Sequence, residues 1–402
     1  MGTVFNGLLL GISGLSLFPL ADLFFPKRAE ADTIVRVSAA LSQPGEKSFS
    51  PGGNTPNIAL FNEKGDRIGF KSGKGHGNID EGRFADISVS PIDSKNTELP
   101  TYISISASGT DAICISSIAV TPPTNADYFA FLGDTAKACG ATWYYSSQPI
   151  KTTDESGDIK YYKPACFWID GPGDNGKTTG NLPQGIGIHL TDFVGNKKRQ
   201  AQYQAHNEIM CSRPRLHMYD RLDELNCLPV FNPPLKDQNL DADLKEALTD
   251  GKVMCHPGPG EKATAEEILH LRKVNLGRIP VPTYGIKHKR GEVTELKERA
   301  EKEPRNACFN NDIIISDSMS AKQLCEHPNS RGPDFVSKSE GYYCDMCTHE
   351  LFPLCRKSPA AKYPKGCFDL ASKKIRHVGD IAARGNSMII PDKNYQNIRN
   401  WE

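Results

Sequence analysis

Ala112-Ile113-Cys114-Ile115-Ser116-Ser117-Ile118-Ala119-Val120 is the stretch whose reading decides the fold. It is rich in β-branched residues and reads as a strand. Ser108-Gly109-Thr110-Asp111 supplies a turn on its N-terminal side. Working outward, Thr33-Ile34-Val35-Arg36-Val37 alternates with period two, as a strand with one buried face does. Further strands are expected at 58–61, 67–70, 83–89, 102–106, 128–131 and 142–145, and less regularly at 161–169 and 185–190. Short strands at roughly 8–12-residue spacing, separated by turn residues, predict an antiparallel β-sandwich over 32–235.

The character changes after residue 235. Residues 240–248 and 264–271 are short amphipathic helix candidates, and 292–303 is almost entirely charged. Residues 236–305 are therefore expected to be a charged helical connector. Residues 306–402 are expected to be a small Cys-rich C-terminal domain whose polar last twenty residues fray. The whole chain is mainly β on this reading.

Charge and apolar content narrow the function. The 402 residues carry 48 Lys and Arg against 48 Asp and Glu, which argues against a nucleic-acid binder working through a basic field. Pro19 and Asp22 interrupt the apolar run 7–25, so its Leu8 to Leu20 part suits a secretory signal better than a stable membrane span. Residues 1–31 are expected to be a signal peptide and pro-segment, with Arg28 and Ala31 as the processing positions. Lys198-Arg199 and Lys289-Arg290 repeat the dibasic step. Cutting there would make the chain a precursor of disulfide-linked pieces.

Twelve cysteines fit an oxidising compartment: Cys114, Cys139, Cys166, Cys211, Cys227, Cys255, Cys308, Cys325, Cys344, Cys347, Cys355 and Cys367. All are expected in disulfides. A bridge between Cys114 and Cys139 would tie two strands. Cys344-Asp345-Met346-Cys347 with Cys355 and Cys367 also has zinc-ligand residue types, but not the spacing of a knuckle, so neither metal nor cofactor is expected.

Catalytic motifs are absent. Gly171 to Thr178 matches a phosphate-loop pattern, yet Gly180 and Pro183 would break the helix that such chemistry needs. No G-x-S-x-G or H-E-x-x-H occurs. Asp80-Glu81 and Asp241/Asp243 read as surface charge. Trp143 and Tyr145 are the ligand-contact candidates, because rings pointing outward from a sheet can stack on sugars or meet a protein.

Two stretches carry a resemblance. One runs from Ile113-Cys114 through Leu132-Gly133-Asp134 to Cys139-Gly140-Ala141-Thr142-Trp143-Tyr144-Tyr145. The other runs from Leu324-Cys325 through Gly332-Pro333-Asp334-Phe335-Val336 to Leu351-Phe352-Pro353-Leu354-Cys355. Both resemble uncharacterised Cys-rich secreted proteins of filamentous fungi. The resemblance implies export and disulfides, and brings no catalytic residue with it. The expectation is a secreted, non-enzymatic protein that binds a glycan or a cell-surface protein. A secreted hydrolase acting on polysaccharide is the alternative.

Overall fold

The computed structural model describes residues 5–11, 14–20, 24–42, 50–94, 98–123, 127–153, 158–171, 182–194, 213–219, 227–231, 252–255, 311–355, 366–376 and 393–401, with a few further positions between 201 and 225. The chain is mainly β, built from several antiparallel sheets, and it divides into two compact units. The first comprises residues 1–44 and 50–287, the second 45–49 and 288–402.

The first unit holds two large sheets. One has the strand order Trp143–Tyr144, Cys166–Ile169, Ile113–Thr121, Thr33–Ala39, Phe84–Val89, with Phe129–Leu132 also paired to Ile113–Thr121. The other runs Leu216–Tyr219, Gly185–His189, Tyr102–Ser106, Asn57–Phe61, Arg67–Lys71. A single hydrophobic cluster takes Val35, Val37, Ile118 and Phe167 from the first sheet and Ile58, Ile103, Ile186 and Met218 from the second.

The Ile113–Thr121 strand is buried at all nine positions. Ser116 explains how. Ile113 and Ile115 have odd numbers and Ile118 and Val120 have even ones, yet all four lie in the same cluster. Simple alternation forbids that. The register against Thr33–Ala39 slips between Ile115 and Ser117, so one extra residue is accommodated as a β-bulge. Ser116 takes that place and its hydroxyl donates to the Ser38 carbonyl at 3.2 Å. After the bulge, Ile118 faces Val37 and Val120 faces Val35.

The other face of this strand is also covered. Phe25 packs on Ala119 and Ala130, the Thr121 hydroxyl donates to the Pro26 carbonyl at 2.9 Å, and Arg28 lies 4.8 Å over the Tyr128 ring while donating to the Pro122 carbonyl. Arg28, expected as a processing position, is thus half-buried and engaged, whereas Ala31 is exposed. Residues 5–11 and 14–20 pair as two strands, and Leu20 continues the pairing to Thr152.

The second unit is a mixed sheet with the order Glu350–Pro353, Tyr342–Asp345, Asp334–Ser337, Asp312–Ser316, Asn397–Trp401. Asp312–Ser316 runs parallel to both of its neighbours. A parallel neighbour needs a crossover, and the helix Ala321–Glu326 supplies it, capped by Ser320, whose hydroxyl accepts from the Gln323 N–H at 3.1 Å. The fraying expected at the C-terminus is corrected for 397–401. These residues form a strand with Arg399 and Trp401 buried, because parallel pairing to Asp312–Ser316 satisfies their backbone.

Other expectations need correction. The single strand read at 161–169 is two, Ile159–Tyr162 and Cys166–Ile169, with Pro164 between them. Within the stretch expected to be a helical connector, Lys252–Cys255 is a strand paired to Cys227–Val230. The helix candidates at 240–248 and 264–271 and the charged run 292–303 lie outside the described residues, as does the phosphate-loop pattern beyond Gly171.

The cysteine bonds differ from the expected bridge. Cys114 joins Cys166, not Cys139, because its strand neighbours Cys166–Ile169 in the sheet and the Cα atoms stand 5.3 Å apart. Cys139 closes the end of a short helix and joins Cys211. In the second unit Cys325 joins Cys344 and Cys355 joins Cys367, and Cys347 is itself disulfide-bonded. With those sulfurs committed, the zinc alternative for this cluster is excluded.

Two outcomes test this architecture. Deleting Ser116 would turn Ile118 and Val120 away from the core and abolish cooperative urea unfolding of the first unit, whereas Ser116→Ala costs about 1 kcal/mol, the worth of one hydrogen bond. Replacing Cys325 and Cys344 together by Ala costs about 2–4 kcal/mol in the unfolding of the second unit, measured by denaturant titration with and without reductant.

Candidate functional site

The strand Phe129–Leu132 passes straight into the helix Gly133–Ala138. Gly133 is required there: a Cβ at this position would stand 2.1 Å from the Ala165 carbonyl oxygen. That close approach brings Asp134 against the start of the next strand, where it accepts from the Ala165 N–H and from the Tyr162 hydroxyl. Its Oδ2 is buried and has no hydrogen-bond partner. Lys137 lies one turn on, with Nζ 3.8 Å from the Trp143 ring centroid and 5.3 Å from that of Tyr145. The two rings meet edge to face at 5.2 Å.

Burial dominates the electrostatics of this cluster. It raises the Asp134 carboxyl to about 6, against the pull of Lys137 and the two hydrogen bonds. It lowers the Lys137 ammonium to about 8, with Asp134 opposing. Burial also pushes the Tyr162 hydroxyl up, reinforced by the Asp134 charge. A carboxyl and a lysine displaced toward neutrality beside aromatic rings make the kind of cluster found where proteins bind or react. Asp134 can trade a proton near neutral pH, and Tyr145 offers part of a ring face. No second carboxylate couples to Asp134 among the described residues, so the paired acids of glycoside hydrolysis are not assembled here.

The ligand-contact candidates separate. Tyr145 is half-buried and borders the cluster, while Trp143 is fully buried. The expectation of an outward Trp143 is corrected: its strand is two residues long, paired to Cys166–Ile169, and its ring forms the floor under Lys137. Asp134 and Lys137 were missed from sequence. The signal available was Asp134-x-x-Lys137 at helical spacing next to the Trp143-x-Tyr145 pair.

A second polar cluster was also missed. His189 Nδ1 stands 2.6 Å from Asp192 Oδ2, and His189 Nε2 stands 3.1 Å from both Glu63 Oε2 and the Thr191 hydroxyl. Arg215 Nε stands 3.4 Å from the same Asp192 Oδ2, and the imidazole rests 4.2 Å from the Tyr102 ring. Hydroxyl, imidazole and carboxylate follow the order of a hydrolase relay. Here, however, Thr191 is 2% exposed and Glu63 shares the imidazole nitrogen that would have to activate it. Burial works against a charged His189, but Asp192 and Glu63 outweigh it and raise its proton affinity. The cluster is an ionic clamp joining the ends of the second sheet.

No family model matches this chain, and no curated protein matches it.

The Asp134 shift has a consequence for stability. Its folded-state value lies above the unfolded one of about 4, so the folded form holds the proton more tightly between the two values. Stability therefore falls as pH rises from about 4 to about 6. Asp134→Asn removes that slope and gains up to about 3 kcal/mol on the wild type at pH 7, read from urea titrations of both proteins at several pH values.

Proposed function

We propose that this chain is an exported, disulfide-stabilised binding protein whose first unit is a β-sandwich and which engages a glycan or a cell-surface protein through the Tyr145 edge of the Asp134–Lys137 cluster. The observation that carries the reading is the half-exposed Tyr145 ring set beside Lys137, which burial, like its partner Asp134, has moved toward neutrality. A sugar presents an apolar face to stack on such a ring and hydroxyls to meet the polar groups. The four described disulfides support a non-cytosolic setting. Among the described residues, no helix is long and apolar enough to cross a membrane. Export, the division at 235 and 305, and kinship with the Cys-rich secreted proteins of fungi belong to the same proposal; the packing of Phe25, Pro26 and Arg28 on the first unit weighs against a cut that removes all of residues 1–31.

A polysaccharide hydrolase is the second reading. A carboxyl titrating near 6 suits a general acid, which is what favours it. Processing at the dibasic pairs is a third, and Lys198-Arg199 and Lys289-Arg290 lie outside the described residues.

A glycan array and a polysaccharide-hydrolysis panel on the purified protein separate the first two. Stable binding without product is expected, and Tyr145→Ala weakens it about tenfold, the equivalent of about 1.4 kcal/mol, with the circular dichroism spectrum unchanged. Release of reducing sugar ends that stops in Asp134→Asn would replace the binding reading with the hydrolase.

A further inference from the structure

The second unit contains a buried cluster that the proposed binding role does not use. Asp334 begins one strand and Asp345 ends the adjacent antiparallel one. Lys393 approaches from the segment that leads into the last strand. Its Nζ lies 2.8 Å from Asp334 Oδ2 and 2.7 Å from Asp345 Oδ2, and the three side chains are 8%, 2% and 0% exposed. The two carboxylates are held differently. Asp334 Oδ2 accepts from the Tyr343 hydroxyl at 3.0 Å and the Tyr395 hydroxyl at 2.5 Å, and its Oδ1 accepts from the Met346 N–H at 2.8 Å. Asp345 Oδ1 accepts from the Cys347 and Thr348 N–H groups at 2.9 and 3.1 Å. Asp345 Oδ2 has no aligned hydrogen bond at all, despite its contact with Lys393.

Three things follow from this geometry. Two carboxylates face one ammonium, so a buried negative charge is left uncompensated, which low-dielectric surroundings penalise. The carbonyl side of Asp345 already sits on two backbone N–H groups, the arrangement that stabilises an oxyanion. Its other oxygen touches the lysine without the alignment of a hydrogen bond. A cation site is not the better reading, since Lys393 fills the position an ion would take and the neighbouring Cys347 sulfur is in a disulfide.

We propose that Lys393 and Asp345 are joined by an intramolecular isopeptide bond, with Asp334 as the proton carrier. Asp334 accepts a proton from the Lys393 ammonium. The freed lone pair on Nζ attacks Asp345 Cγ, and negative charge gathers on Oδ1 between the Cys347 and Thr348 N–H groups. Asp334 returns protons to Oδ2 as the C–Oδ2 bond breaks. Of the three ammonium hydrogens, one stays on the amide nitrogen and two leave with Oδ2 as water, so the reaction needs no co-reactant. Burial raises the Asp334 carboxyl above the ordinary range, against Lys393 and with the Asp345 charge adding to it, which suits a group that must hold a proton in passing. The product is a neutral amide in place of the ion pair, and it ties the segment before the last strand to the Tyr342–Asp345 strand by a link that reductants do not cut.

The test is a tryptic map of the folded, purified protein after full reduction and alkylation. Cleavage at Lys and Arg places Asp345 in peptide 339–356, and a blocked Lys393 leaves peptide 385–399 uncut. The expected result is one species containing both peptides, lighter than their sum by about 18 Da, the mass of the water lost. Lys393→Arg is expected to give peptide 339–356 alone at its full mass. Asp345→Asn is expected to give the same linked product as the wild type, by loss of ammonia in place of water. Finding 339–356 and 385–393 unlinked at full mass in the wild type would overturn the proposal. So would an 18 Da deficit confined to peptide 339–356, or one that persists in Lys393→Arg.

Discussion

The Ile113–Thr121 strand has to be apolar on both faces, and the rest of the first unit is arranged around that constraint. One face meets the cluster shared with the second large sheet, the other meets Phe25 and Ala130. A strand buried on both faces has no solvent side on which to place polar residues, so the serines within it must be satisfied internally. Ser116 is satisfied by the Ser38 carbonyl, and the same residue provides the bulge that keeps four apolar side chains on one face. Packing, hydrogen bonding and register thus converge on Ser116.

Where the apolar cores end, charge takes over. The His189 clamp in the first unit and the Asp334–Asp345–Lys393 cluster in the second are both almost fully enclosed, and both join segments distant in sequence. Buried ion clusters are poor sources of net stability, because desolvation offsets most of the Coulomb gain. The value of the His189 clamp lies in specifying one arrangement, since another would part the imidazole from its two carboxylates. The Asp134–Lys137 cluster differs in that Tyr145 and Lys137 remain in part accessible, which is why it and not the other two is assigned a binding role.

Much of the fold was legible from local pattern. Thr33 to Ala39 alternates in sequence and in burial, and the strands at 58–61, 102–106 and 185–189 lie where their β-branched runs stand. The helix Gly133–Ala138 was not legible. It is six residues long, has no side-chain cap, and exists because Gly133 admits the Ala165 carbonyl. Trp143 was misjudged for a related reason: a two-residue strand has too few positions for alternation to reveal which way a ring points. The candidate site was half legible, since its aromatic pair was noticed and its two titrating groups were not. Neither Asp134 nor Lys137 is unusual until burial acts on it.

By itself the sequence determined the mainly β character of the chain and its richness in cysteine, because propensity, turn residues and composition are properties of short segments. Tertiary structure decided which cysteine meets which, that Asp312–Ser316 runs parallel to both neighbours, and which carboxylates are buried beside a lysine. Those outcomes depend on the distance between residues remote along the chain, and local pattern carries no information about that distance until the sheets have formed.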